Sequence, residues 1–119
     1  GKVTNMAADD HDQIFSTISH LPHLLAFSLV SLINNKDNKD ILLNFAASGF
    51  RDFSRIAASS PEVWKDITIQ NQDSIIKDLK LFQKEIVKLT TFIELKNENK
   101  LEDYLKLASI TRQSWLEDS

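Results

Sequence analysis

The chain has 119 residues, a formal net charge of −3, 42% hydrophobic and 26% charged residues, and no cysteine. That length suits a single domain with a core of its own, and the missing cysteine excludes a disulfide framework, a thiolate nucleophile and a Cys-based zinc site, while fitting a reducing, cytoplasmic compartment. Lysines and arginines scattered over an acidic chain make no basic stripe, so nucleic acid is not an expected partner.

Two glycines and two prolines are too few for the many tight turns of an all-β fold, and the fold class is predicted to be all-α. The chain opens on Gly1-Lys2-Val3 without an initiator Met, which reads as a fragment or a processed product. Residues 1–9 are a lead-in, and Asp9 or Asp10 is placed to cap the first helix. Ile14, Ile18, Leu21, Leu25, Ser28 and Leu32 then follow a 4,3,4,3,4 spacing along one helical stripe. Phe15, Leu24, Phe27, Leu29 and Val30 add apolar groups on other faces. A helix apolar nearly all round is buried on most sides, which in so small a chain points to a partner subunit. Pro22 predicts a kink near Ser19–Leu21. The apolar run Leu24–Ile33 is too short to span a bilayer and no signal peptide opens the chain, so no membrane association is expected.

A polar loop at 34–38 leads to a second helix from about Asp37 or Asn38 to Ala47, interrupted at Ser48-Gly49. A third covers roughly Phe50 to Ala58. Ser59 or Ser60 caps a fourth, with Pro61 at its first position, where a missing N–H costs nothing. The next, about 73–97, carries Ile75, Leu79, Phe82, Ile86, Leu89 and Ile93 on a heptad seam. The last, about 100–117, is expected to bury Leu101, Tyr104, Leu105, Ala108 and Trp115.

Side chains able to do chemistry gather in two places. His20 and His23 are three apart and share a helical face, but no third ligand stands at metal-binding spacing, so the pair reads as structural or as part of a small-molecule site. His11-Asp12 reads as a helix start or as a functional neighbour. The stretch Ser48–Ile67 holds Gly49, two of the three arginines, Pro61 and Trp64. Arg51 and Arg55 are four apart and project from one face, where guanidinium forks can bind a carboxylate through paired hydrogen bonds. The competing reading is that Asp52, Glu62 or Asp66 neutralises them as surface ion pairs. Trp64 is read first as a core residue. No Gly-x-Ser-x-Gly elbow and no Gly-x-Gly-x-x-Gly fingerprint occurs, so neither a serine nucleophile nor a dinucleotide site is read in this chain.

The run from Gly49 to Ile67, with Asn71, His11-Asp12 and Ser19-His20-Leu21-Pro22-His23 followed by Ala26, resembles the C-terminal helical domain of prephenate/arogenate dehydrogenases. The motifs cover about residues 1–72. The resemblance implies a 6-phosphogluconate-dehydrogenase-C-terminal-like fold of five or six helices, spanning residues 1–119 as one domain and forming an intertwined homodimer. The first helix and the helix at 73–97 are expected to make its main seam. It also implies a preceding Rossmann NAD(P) domain, absent from this chain, of which Gly1-Lys2-Val3 looks like the last strand's tail.

In such enzymes the substrate loses hydride from its hydroxyl-bearing ring carbon to NAD or NADP and loses the ring carboxylate as carbon dioxide, a step of tyrosine biosynthesis. This chain alone is therefore expected to be inactive and to bind no cofactor. By resemblance Arg55 binds a substrate carboxylate and Arg51 shapes the site. Trp64 and Asp12 contribute across the dimer, and His20 and His23 line the substrate side. The residue before Gly49 is often small or glycine in the family, and here it is Ser48. No regulatory extension is expected after Ser119. The alternative is a stand-alone helical interaction module that binds a partner helix and no small ligand.

Overall fold

The computed structural model describes residues 7–118 and forms six helices, with no strand among the described residues. They are α1 (Ala8–Asn34), α2 (Lys39–Asn44), α3 (Ser48–Ser54, continued by a 3-10 turn Arg55–Ala58), α4 (Pro61–Gln70), α5 (Gln72–Glu94) and α6 (Glu98–Asp118). The described residues fall into two compact units, 7–79 and 80–118.

In the first unit, α1 starts without the expected aspartate cap. Ala7 is the N-cap and makes no side-chain bond, while Asp9 and Asp10 lie in the first turn, where carboxylates complement the helix dipole. The distortion expected from Pro22 is a π-helical turn over Ser16–His20, closed by the Leu21 N–H donating to the Ser16 carbonyl five residues back. Pro22 has no N–H to return an ordinary α bond, and the widened turn before it accommodates the ring.

The chain thus passes Pro22 without a break, and α1 is one 27-residue helix that is long and apolar enough, by length and composition, to cross a membrane. The ten-residue run read from the sequence understated this. The same length and composition mark a helix packed in the middle of a soluble assembly.

Helix α2 ends at Asn44, short of the predicted Ala47, and leaves Phe45 83% exposed. Helix α3 starts at Ser48, so Gly49 lies in its first turn rather than ahead of it. Arg55 opens the 3-10 turn instead of continuing the helix. This turn and α3 pack against the Leu21–Asn34 half of α1. Helix α4 begins as predicted, with Pro61 in first position and the Val63 N–H donating to Ser60 Oγ at 3.3 Å.

Among the described residues only Ala26 and Ile75 are fully buried apolar groups, joined by Ser16. The predicted stripe of α1 leaves Ile14, Ile18 and Leu32 exposed, and the seam of α5 buries Ile75 but exposes Ile86 and Ile93. Each such side chain, 42–66% exposed, forgoes a corresponding fraction of the roughly 1.5–3 kcal/mol that full burial contributes.

In the second unit α6 folds back along α5. Tyr104 Oη donates to Glu85 Oε2 at 2.7 Å, Lys88 Nζ donates to the other carboxylate oxygen at 3.1 Å, and the Phe92 and Tyr104 rings meet edge to face at 5.9 Å. The Tyr104 bond, then the Lys88 bond, holds the Glu85 carboxyl below the usual range, and the same contact raises the Tyr104 phenol. Leu105, Ala108 and Trp115, expected inside, are exposed. Trp115 is 62% accessible, with the Arg112 guanidinium 4.6 Å from its ring centre. With a single helix beside it, α6 has nothing to cover its other faces within this unit.

The connection closes with the Asn97 N–H donating to Phe92 O (2.9 Å) and the Lys96 N–H to Ile93 O (3.0 Å), with Lys96 at φ 51°. This is a Schellman-type stop with lysine where glycine is usual, and Asn97 Oδ1 then accepts from the Lys100 N–H to cap α6. A left-handed residue with a side chain is strained by roughly 1 kcal/mol. Replacing Lys96 with glycine should therefore raise the urea midpoint, by about 0.5–1 kcal/mol of stability; an unchanged or lower midpoint would contradict this account.

Candidate functional site

The site is assembled on α1 around the π-turn. Asn71, at the junction of α4 and α5, reaches two groups of α1 with one side-chain amide. Its Nδ2 donates to the Asp12 carbonyl at 2.8 Å and lies 3.3 Å from His20 Nδ1. A carbonyl can only accept, so the amide nitrogen must face Asp12, and its second hydrogen then points to His20. His20 Nδ1 is thereby an acceptor, the ring is the neutral Nε2–H tautomer, and Nε2–H is left to donate elsewhere.

His23 is fixed the opposite way. Its Nδ1 lies 3.0 Å from the Ser19 carbonyl, so Nδ1 carries the hydrogen and the neutral ring leaves Nε2 as an acceptor. Trp64 of α4 braces both rings, stacking on His23 (centroids 4.0 Å apart, 15° between planes) and meeting His20 edge-on at 6.0 Å. Trp64 is only half-buried, so the indole is neither pure core nor free surface. With these hydrogen bonds the neutral rings leave His20 Nε2–H as a donor and His23 Nε2 as an acceptor, both rings braced by Trp64.

Burial is the main cause of a His20 pKa below the ordinary histidine value; the Asp12 charge works against it, and His23 and His11 work with it. The Asp12 carboxylate lies 3.8 Å from His11 Nδ1, and its backbone carbonyl, rather than its acid group, is what binds Asn71. His11 stacks on Phe15, with centroids 4.4 Å apart.

Arg51 and Arg55 are exposed, and among the described residues neither makes an ion pair; Asp66, one of the expected partners, lies 3.8 Å from Lys65 instead. Arg51 Nε donates to the Ala46 carbonyl at 3.0 Å, which orients the guanidinium while leaving its terminal nitrogens uncommitted. Arg55 lies on the 3-10 turn, in the segment that packs against the Leu21–Asn34 half of α1. A Cβ built on Gly49 meets nothing within 4 Å, so no contact within this chain requires a glycine there.

His20, His23, Trp64 and the Asp12 backbone are thus joined in one cluster, while Arg51 in α3 and Arg55 on the following turn lie on the segment packed against the Leu21–Asn34 half of α1. The groove beside Asn71 on its other side is bordered by Asp9, Asp12 and Asp73 and repels anions. Two contributors were not singled out from sequence. Asn71 stands out in the sequence only within the family motif, and its bonds to residues 51 and 59 positions away have no local signature. Asp78, which accepts from Ser16 Oγ at 2.7 Å and from Thr17 Oγ1 at 2.8 Å, looks in sequence like one more acid on a solvated helix face.

A half-exposed tryptophan stacked on one histidine and edge-on to another suits a flat ligand, and exposed arginines without ion pairs suit a carboxylate. Residues 7–107 match the family described as prephenate dehydrogenase, dimerization domain. The chain belongs to that family. It is 40% identical over 104 residues to prephenate dehydrogenase of Bacillus subtilis, covering 87% of this chain and 28% of that protein. It is 32% identical over 108 residues to cyclohexadienyl dehydrogenase of Zymomonas mobilis, covering 89% and 37%.

Among solved structures it superposes on prephenate dehydrogenase from A. aeolicus in complex with hydroxyphenyl propionate and NAD+, with a TM-score of 0.88 and 36% identity over 96% of this chain and 40% of that one. On Synechocystis arogenate dehydrogenase the TM-score is 0.89 at 27% identity, over 96% and 42%. The chain spans about a third of the length of these curated relatives.

The His20 environment has a pH signature. Because its pKa is lowered on folding, the unfolded chain binds more protons in the window below about 6.5. The contribution is fully present above that value and is lost as pH falls through it towards the folded pKa. Urea midpoints should therefore drop from pH 7 to pH 5, and the drop should be smaller in His20→Gln. An equal drop in both would remove His20 from the account.

Proposed function

We propose that this chain is the substrate-binding and dimerising part of a prephenate or arogenate dehydrogenase, an NAD(P)-dependent enzyme of tyrosine biosynthesis working in the cytoplasm. The observation that carries the reading is the His20–His23–Trp64 cluster on α1 and α4, together with Arg51 and Arg55, which make no ion pair among the described residues and lie on the segment that packs against the Leu21–Asn34 half of α1. Family membership supplies the substrate class, and the ligand in the A. aeolicus relative, a hydroxyphenyl ring with a carboxylate arm, has the shape such a cluster suits.

In this reading Arg55 takes a substrate carboxylate through its guanidinium fork, and Arg51, steered by Ala46, adds positive charge at the same rim. His20 Nε2–H donates to a substrate oxygen, and His23 Nε2 accepts from a hydroxyl or amino group. Trp64 keeps both rings upright and offers an aromatic wall. Gly49 leaves room on the α3 side for a group of the substrate or of a second subunit, and Asp12 holds its end of α1 to Asn71. The residues of this chain bind, orient and screen the substrate from water. They offer no phosphate-binding fingerprint for a dinucleotide, so the hydride acceptor belongs to another part of the complete enzyme and no step is routed through it here.

The exposed Ile18, Leu32, Phe45, Ile86 and Ile93 support a homodimer in which a second copy covers these faces. An interface of that kind makes folding and association one event. The melting temperature should rise with protein concentration and sedimentation equilibrium at micromolar concentration should give a dimer; a monomer with a concentration-independent transition would oppose the assembly.

For the site, Arg55→Ala in the complete enzyme removes a charge-assisted contact contributing roughly 1.5–3 kcal/mol, so KM should rise about tenfold to a hundredfold. An unchanged KM in a folded variant would take the carboxylate away from Arg55.

A further inference from the structure

Positions 12 and 20 are eight residues apart. In an uninterrupted α-helix that separation leaves them about 80° out of line around the axis. The π-turn at Ser16–His20 admits one additional residue between them and brings the two positions almost into register. That alignment is what allows a single Asn71 amide to span the Asp12 carbonyl and the His20 ring. A π-turn is rare, and Pro22 by itself allows a bend as well as a widened turn, so contacts to the turn decide between the two.

The side chains at its start are tied from outside α1. Ser16, the only fully buried polar side chain among the described residues, donates to Asp78 Oδ2 at 2.7 Å. Thr17 has one hydroxyl hydrogen and two acceptors in reach, the Gln13 carbonyl at 3.2 Å and Asp78 Oδ2 at 2.8 Å; the shorter, charged one is favoured. Both hydroxyls therefore converge on one carboxylate oxygen of α5. Asn71 and Asp78 are seven residues apart across the start of α5, so one structural edge holds the turn at its entrance and its exit.

We propose that Asp78 is a positioning residue for His20: by gripping Ser16 and Thr17 it keeps the π-turn open, and so sets the tautomer and direction of the imidazole. The inference rests on the substrate-site reading for its functional consequence and on the geometry of α1 for everything else. The titratable neighbours of His20 are Asp12, His11 and His23, all on α1; the elements packed against the ring contribute the neutral Trp64 and Asn71.

The test is imidazole nitrogen NMR on this chain without ligand, comparing the parent, Asp78→Ala and, as a control, Ile75→Ala, which loosens the same helix one turn away without touching the carboxylate. In Asp78→Ala, His20 should lose its Nε2–H preference and its pKa should rise towards the ordinary value of about 6.5. Removing the negative charge alone would push that pKa down, so the direction separates position from electrostatics. The Ile75→Ala protein, even at a comparable loss in melting temperature, should keep the parent tautomer.

If Asp78→Ala does not fold, the double change Ser16→Ala with Thr17→Val removes the same two bonds from the other side and is read the same way. An unchanged His20 tautomer, a downward shift, or an equal response in Ile75→Ala would overturn the assignment. Because no substrate is used, these outcomes stand apart from the Arg55→Ala measurement, whose failure would remove the dehydrogenase reading and leave the role of Asp78 decided on its own.

Discussion

The candidate site depends on one additional residue accommodated in α1. Pro22 cannot return a hydrogen bond to the preceding turn, and a helix meeting that defect either bends or widens. Here it widens over Ser16–His20, and the polar side chains of that segment find partners that an ordinary turn would not offer them. Ser16 and Thr17 bond to Asp78, His20 to Asn71, and His23 to the Ser19 carbonyl. Every one of these contacts binds the turn or the residues just beyond it. The sequence Ser-x-x-Ser-His-Leu-Pro-His is thus a local defect together with the means of satisfying it.

Much of the fold was legible because it rests on local physics. Helix number and the Ser60–Pro61 start of α4 follow from capping, proline chemistry and periodicity, and both appear where those rules put them. The burial of α6 is not legible in the sequence for one reason. Periodicity reports which face is apolar and not whether the same chain covers it. Leu105 and Trp115 lie on such a face and remain in water within this chain. The aspartate cap of α1 failed differently, since Asp9 and Asp10 serve as first-turn charges while Ala7 takes the cap position.

The site was half legible. Histidines three apart, arginines four apart and a tryptophan in a compact stretch could be singled out by residue type and spacing. Their relation to one another could not, because it runs through Asn71 and Asp78, whose partners lie 51 to 62 residues away. An asparagine after a helix reads as a stop signal, and an aspartate on an amphipathic helix reads as solvated. Only the three-dimensional contact distinguishes these two from the other polar residues of the same segments.

The two histidines have nearly the same sequence surroundings and opposite hydrogen-bonding roles. What separates them is a backbone constraint: Asn71 must donate to Asp12, which leaves His20 Nδ1 an amide hydrogen, whereas Ser19 offers His23 Nδ1 a carbonyl. Fixed tautomers cost nothing at the moment a ligand arrives, so a ligand that needs one donor and one acceptor finds both already oriented. Protonating His20 would place two donors face to face at 3.3 Å, and Asn71 cannot turn its oxygen inward without setting that oxygen against the Asp12 carbonyl. Burial lowers the His20 pKa, the Asn71 bridge favours the same neutral ring and fixes which nitrogen accepts, and the bridge in turn requires the register that the π-turn provides.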